Sequence, residues 1–201
     1  MINQNELKPE EIMIRAQDTP NPNAIKFITN FALKTSGNAT YTQEHLSKNQ
    51  IVEQPLVLQL LNIPGVEQVY FFQNTVTVTH TEELPVEMIK DQVISSIKFN
   101  LTLHNPEFQG PDENQSRVKP DRSKFSKEQL EVEEILDRTI RPGLQSDGGD
   151  VEVVEFKDNE IKILYQGACG GCPSSMMGTL DAIQSILRTE LKNDKIVVLP
   201  L

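Results

Sequence analysis

The only two cysteines in this 201-residue chain stand three positions apart, in Cys169-Gly170-Gly171-Cys172, between the apolar run 161–165 and a helix predicted to open at Pro173. Any thiol chemistry is therefore confined to one loop. Two thiols at that spacing can face one metal ion or one edge of a cluster, and the paired glycines leave room for backbone amides to approach sulfur. Proline at the first helical position loses nothing by lacking an N–H, and the positive end of the helix would lower the pKa of the thiols beside it. Thiolate is the form that binds metal.

Four readings of this loop stay open on the residues alone. It could hold half of an iron–sulfur cluster, act as a dithiol–disulfide oxidoreductase pair, supply part of a structural zinc site, or be a loop in which cysteine is only a small residue. Ligand counting narrows the metal readings. Zinc takes four ligands, and no further cysteine is available. A 4Fe-4S cluster also takes four thiolates while one chain supplies two, so the cluster reading requires a homodimer in the loaded state, with Cys169 and Cys172 of each subunit as ligands. The histidines, His45, His80 and His104, all fall in the first half of the chain and are expected to be ordinary surface or strand residues.

The pattern on either side predicts two small α/β domains, each a small sheet packed with helices: 10–102, a flexible linker over 103–125, and 126–201. In the first, strands are expected near 12–16 and 24–28 around the turn-rich Asp18-Thr19-Pro20-Asn21-Pro22-Asn23, with a less structured stretch over 36–48 holding one edge strand near 39–42. A helix over 55–61 is stopped by Pro64-Gly65. A hairpin of 66–72 and 75–80 follows, in which Val76 and Val78 alternate with threonines, so one face should be buried and the other wet. Pro85 opens a helix with Val86, Ile89, Val93 and Ile97 on one side. The segment Tyr70-Phe71-Phe72 should point to both faces, with at least one ring in the core.

The linker is marked by Asn105-Pro106, Gly110-Pro111, a polar run 112–116 and Lys119-Pro120, with little to bury. The second domain should run helix-strand-strand-helix-strand. Ser126 and Gln129 form a capping-box pattern ahead of Leu130, Val132, Ile135 and Leu136, and this helix should end before Pro142-Gly143. Ser146-Asp147-Gly148-Gly149-Asp150 reads as a turn, 151–156 and 161–165 as a hairpin feeding the cysteine loop, and Met176, Met177, Leu180, Ile183, Leu187 and Leu191 as a helix stripe that is core before it is anything else.

Acidic residues outnumber basic ones by 29 to 19, for a net charge of −10, with no basic cluster or interleaved aromatic stripe, so nucleic acid is not an expected partner. No stretch approaches the ~20 apolar residues of a membrane span. The first residues show neither a signal core nor a transit-peptide composition. Two closely spaced thiols with no disulfide framework fit a reducing cytoplasm better than a secreted setting, so a cytoplasmic protein is expected.

Two sets of motifs carry a family resemblance. Ile140-Arg141-Pro142, Ser146-Asp147-Gly148-Gly149-Asp150-Val151 and Gly167-Ala168-Cys169-Gly170-Gly171-Cys172-Pro173-Ser174-Ser175 resemble the NifU C-terminal domain of Nfu-type iron–sulfur proteins. The Asp18 to Asn23 turn, the Phe27 strand, Ile63-Pro64-Gly65-Val66 and the hairpin after it resemble the Nfu N-terminal domain. The resemblance implies a scaffold or carrier rather than an enzyme. It implies a 4Fe-4S cluster held between two subunits through Cys169 and Cys172, received from an upstream donor and passed to apo iron–sulfur client proteins.

Overall fold

A computed structural model describes residues 11–47, 54–111, 125–170 and 173–201, with the side chains of 173–177 excepted. The N-terminal unit is a five-stranded antiparallel sheet in the order β1-β2-β5-β4-β3: β1 Ile14–Asp18, β2 Ala24–Thr29, β3 Lys34–Thr42, β4 Val66–Gln73 and β5 Thr75–His80. Helices α1 (Gln43–Ser47), α2 (Pro55–Leu61) and α3 (Val86–Asn100) complete it. The stretch expected to be least ordered is β3 and α1. Ser36-Gly37-Asn38 resembles a loop because the pairing of β3 with β4 is broken by a bulge between Lys34 and Asn38.

Period-two alternation decides how this sheet is used. Phe27, Val76, Phe71 and Ala39 stand side by side across β2, β5, β4 and β3, and form one core with Leu56, Leu60, Ile89, Val93 and Ile97 from the helices. Val86, predicted to share that stripe, is instead 38% exposed. Phe71 is thus the core ring of the Tyr70-Phe71-Phe72 segment. On the opposite face the same register sets Lys26, Thr77, Tyr70 and Thr40 in a row. That face was expected to be wet. It is not: Thr77 and Tyr70 are 1% exposed, because the C-terminal unit packs against them.

The connection expected to be a linker from 103 onward also begins inside the N-terminal unit. His104 and Phe108 are buried against Phe71, and His104 Nε2 bonds the Leu33 carbonyl. His104 is therefore neither a surface nor a strand residue. Pro and Gly make this segment look open, yet two aromatic rings among them suffice to seat it. Residues 112–124 lie outside the described part.

The C-terminal unit follows the predicted order with one addition. Helix α4 (Lys127–Thr139) starts in the expected capping box, in which Gln129 N donates to Ser126 Oγ at 3.1 Å and Ser126 N donates to Gln129 Oε1 at 3.0 Å. A short helix α5 (Arg141–Ser146) then carries Pro142 in its first turn, where proline is tolerated, instead of a simple break. Strands β6 (Gly149–Lys157) and β7 (Glu160–Gly167) form an antiparallel hairpin, turned by Asp158 and Asn159 at φ 52° and 68°. Helix α6 (Pro173–Glu190) crosses over to β8 (Val197–Pro200), which lies parallel to β7. Val132, Leu136, Ile161, Ile163, Ile183 and Leu187 form the core. Leu130, in the first turn of α4, is 41% exposed. Replacing Ser126 by alanine should remove the bond that Gln129 N donates to Ser126 Oγ, leaving the backbone half of the box, and lower stability by about 1 kcal/mol, measured as a fall in the urea midpoint.

Candidate metal centre

The hairpin register builds the cysteine loop. Gly149 opens β6 opposite Gly167, which closes β7, so the chain enters the loop directly from a paired strand. Gly167 adopts φ +62°, and two bonds then fix the turn: Ala168 N to the Gly148 carbonyl at 3.1 Å and Gly170 N to the Gly167 carbonyl at 3.0 Å. Cys169 is half-buried and rests on Gly149. A Cβ at position 149 would overlap Cys169 Sγ, and would lie 2.8 Å from the Gln166 carbonyl and 2.9 Å from Cys169 N. The Asp-Gly-Gly-Asp segment is thus more than a turn, since its second glycine is the floor on which the thiol sits.

Gly171 and Cys172 lie outside the described residues, as do the side chains of Met176 and Met177. The helix does begin at Pro173, so its N-terminus follows the second cysteine position directly, as the sequence predicts. Among the described residues, no group of three or more His, Cys, Asp or Glu side chains is placed to hold a metal ion. His45, His80 and His104 all belong to the N-terminal unit; His80 bonds the Thr81 carbonyl and His45 caps Thr42, both local roles.

Two tyrosines flank the thiol. Burial, followed by the nearby Cys169 charge, pushes the Tyr165 phenol up to about 12. Burial, with Asp150 next and Cys169 adding to it, raises Tyr70 further. Beneath them, Arg141 is buried between α4 and β6. It donates through Nη1 to Glu133 Oε2 at 2.8 Å and to Asp137 Oδ1, and through Nε to the Val151 carbonyl at 3.0 Å, with Asp150 Oδ1 at 3.6 Å. This pairing ties α4 to the strand that begins at Gly149.

Several side chains of the N-terminal unit also reach the loop, which the sequence reading did not anticipate. Asn21 Nδ2 donates to the Ala168 carbonyl at 3.0 Å and Gln68 Nε2 to the Gly167 carbonyl at 3.4 Å. Lys26 Nζ donates to the Gln145 and Ser146 carbonyls at 3.1 and 3.0 Å. The available signal was weak: Asn21 stands between two prolines in a turn whose composition needs no further explanation, and Lys26 interrupts the apolar strand Ala24–Thr29.

The fold and site define a small two-domain binding module in which a strand, a glycine-lined loop and a helix start present a thiol. Residues 14–103 match the family described as "Scaffold protein Nfu/NifU N terminal", and residues 132–198 match the "NifU-like domain". The chain is 33% identical over 182 residues to the "NFU1 iron-sulfur cluster scaffold homolog, mitochondrial" of Homo sapiens, covering 88% of this chain and 67% of that protein. It is 29% identical over 185 residues to the protein of the same name from Drosophila persimilis, and 27% over 178 residues to "NifU-like protein 4, mitochondrial" of Arabidopsis thaliana. Each alignment covers 88% of this chain, and the chain spans only 61% and 62% of those two relatives. Among solved structures, the solution NMR structure of a NifU-like protein from Saccharomyces cerevisiae is 25% identical, with a TM-score of 0.40, covering 46% of this chain and 80% of that one. The chain belongs to the Nfu/NifU family of iron–sulfur cluster scaffold proteins. Scaffolding is a binding role, and the chain is not an enzyme.

The cytoplasmic expectation is corrected by these relatives, all of which are named as mitochondrial. Closely spaced thiols without a disulfide framework argue only for a reducing environment, and that condition does not single out the cytoplasm. Among the described residues, no helix is long and apolar enough to cross a membrane.

Proposed function

We propose that the chain holds a 4Fe-4S cluster between two copies of itself, with Cys169 and Cys172 of each as ligands, and passes it to apo-proteins. The observation that carries this reading is the placement of Cys169: half-buried, at the end of a paired hairpin, on a glycine floor where any Cβ would overlap its Sγ. The cluster is cargo, so the site must bind it without trapping it. An edge loop does this, because separating two such loops exposes iron to the incoming thiolates of a client, which exchange for the cysteines one by one. The division into an N-terminal domain that extends through Phe108 and a second domain over 126–201 belongs to the same proposal, with the second domain carrying the thiols.

Anaerobic reconstitution tests it. The expected product is brown and contains about four irons per two chains, and Cys169→Ser or Cys172→Ser removes the colour. Colourless tetrahedral metal would support a zinc site instead, and a reversible Cys169–Cys172 disulfide with exchange activity in iron-free monomers would support an oxidoreductase.

A further inference from the structure

The N-terminal unit meets the cysteine loop and the helix end before Gly148 through side-chain donors on backbone carbonyls, from the β1–β2 turn and the polar face of the sheet. Asn21 and Gln68 hold the carbonyls of 168 and 167, the two residues before Cys169. Lys26 holds those of 145 and 146, at the end of the helix that leads into Gly148 and the Gly149 floor. Bonds to carbonyls constrain peptide planes, so these contacts act on the shape of both walls around the thiol.

The glycines of the site record the same contact. Gly148 and Gly167 have φ of +83° and +62°. A Cβ at 148 would lie 2.7 Å from Thr77 Oγ1 and 3.3 Å from the Lys26 chain, and one at 167 would lie 2.7 Å from the Tyr70 ring. The donors are set in advance. Asn21 is 4% exposed, and its Oδ1 accepts from Asn23 N at 3.0 Å, which orients the amide toward Ala168. Lys26 is 8% exposed, and burial lowers its pKa against the opposing charge of Asp147. A buried ammonium of this kind needs its carbonyl partners. The contact backs the loop without sealing it: Cys169 stays half-exposed, and a groove lined by Gln68, Glu67, Thr42 and Tyr165 opens beside Gly170.

We propose that the N-terminal domain is a positioning element of the cluster site, with Asn21, Gln68 and Lys26 holding the cysteine loop and its glycine floor in the shape that receives the cargo. The proposal rests on the cluster-carrying reading above. It assigns the N-terminal domain a structural part in holding the cluster, exercised within one chain.

The test uses the full-length chain carrying Asn21→Ala or Lys26→Met, with Lys26→Arg as the conservative variant that keeps donors for both carbonyls. In the iron-free state, amide exchange at Ala168 and iodoacetamide labelling of Cys169 should each accelerate about tenfold in the first two variants, as the bond to the Ala168 carbonyl or the pair to the Gln145 and Ser146 carbonyls is lost. Exchange at the Phe71 core amide should stay at the parent rate, and Lys26→Arg should behave like the parent. After reconstitution, Asn21→Ala and Lys26→Met should load the parent amount of iron but release it to a chelator about tenfold faster, with an altered visible circular dichroism spectrum. Parent-like exchange, labelling and release in both variants would overturn the proposal, as would acceleration shared by the Phe71 amide in both. If the parent itself failed to load iron, the carrier reading would fall, while exchange and labelling would still judge the positioning role.

Discussion

Gly149→Ala should abolish stable cluster loading while leaving the protein folded. The methyl group would occupy the place of Cys169 Sγ and press on the Gln166 carbonyl; Gln166 is held in the β6–β7 ladder, so the neighbour that must move is the thiol. Overpacking of this sort costs about 1–3 kcal/mol of stability, which a folded unit can absorb. Moving a ligand sulfur is more damaging to the site, since displacing the groups that orient metal ligands weakens retention by roughly 10- to 100-fold. Iron per chain after reconstitution and desalting measures the loss. Gly143→Ala is the matched control, because a Cβ there meets nothing within 4 Å and alanine favours the helix. It should load like the parent.

Arg141→Ala is expected to destabilise the C-terminal unit by about 3–5 kcal/mol. Its guanidinium is a partner of Glu133, whose side chain is only 5% exposed, and removing it takes a charge-assisted bond from a desolvated carboxylate. The Val151 carbonyl and Asp150 lose a donor at the same time. For a small domain this approaches the whole margin of stability, so loss of the C-terminal transition in urea, or a strongly lowered midpoint, is the readout. Combining Arg141→Met with Glu133→Leu should recover part of the loss, because replacing both members of a buried pair removes the desolvated carboxylate together with the guanidinium. If Arg141→Ala unfolded at the parent midpoint, the pair would not be what joins α4 to β6.

Much of this arrangement was legible in the residues. Ser126 and Gln129 mark a helix start, 75–80 alternate as a strand must, and two cysteines between an apolar run and Pro173 can hardly be anything but a loop between strand and helix. Local rules cover such features because partner and signal lie within a few positions. Contacts across long separations were not legible. Cys169 meets Gly149 only through the register of the β6–β7 hairpin, and Asn21 meets Ala168 across 147 positions. Alternation also shows that a strand face is polar without saying what covers it. Thr77 therefore reads as solvent-facing, when it is buried, with Lys26 beside it, against the Gly148 turn. His104 and Phe108 were hidden by the prolines around them, because composition averages over the two rings that dock.

Sharing of one cluster by two chains is the central claim, and sedimentation of the reconstituted protein under anaerobic conditions tests it most directly. Absorbance in the visible range should travel with a species of twice the chain mass, carrying about four irons, and should vanish from that species in Cys169→Ser. A boundary at the mass of a single chain that still carried the full iron content would contradict it.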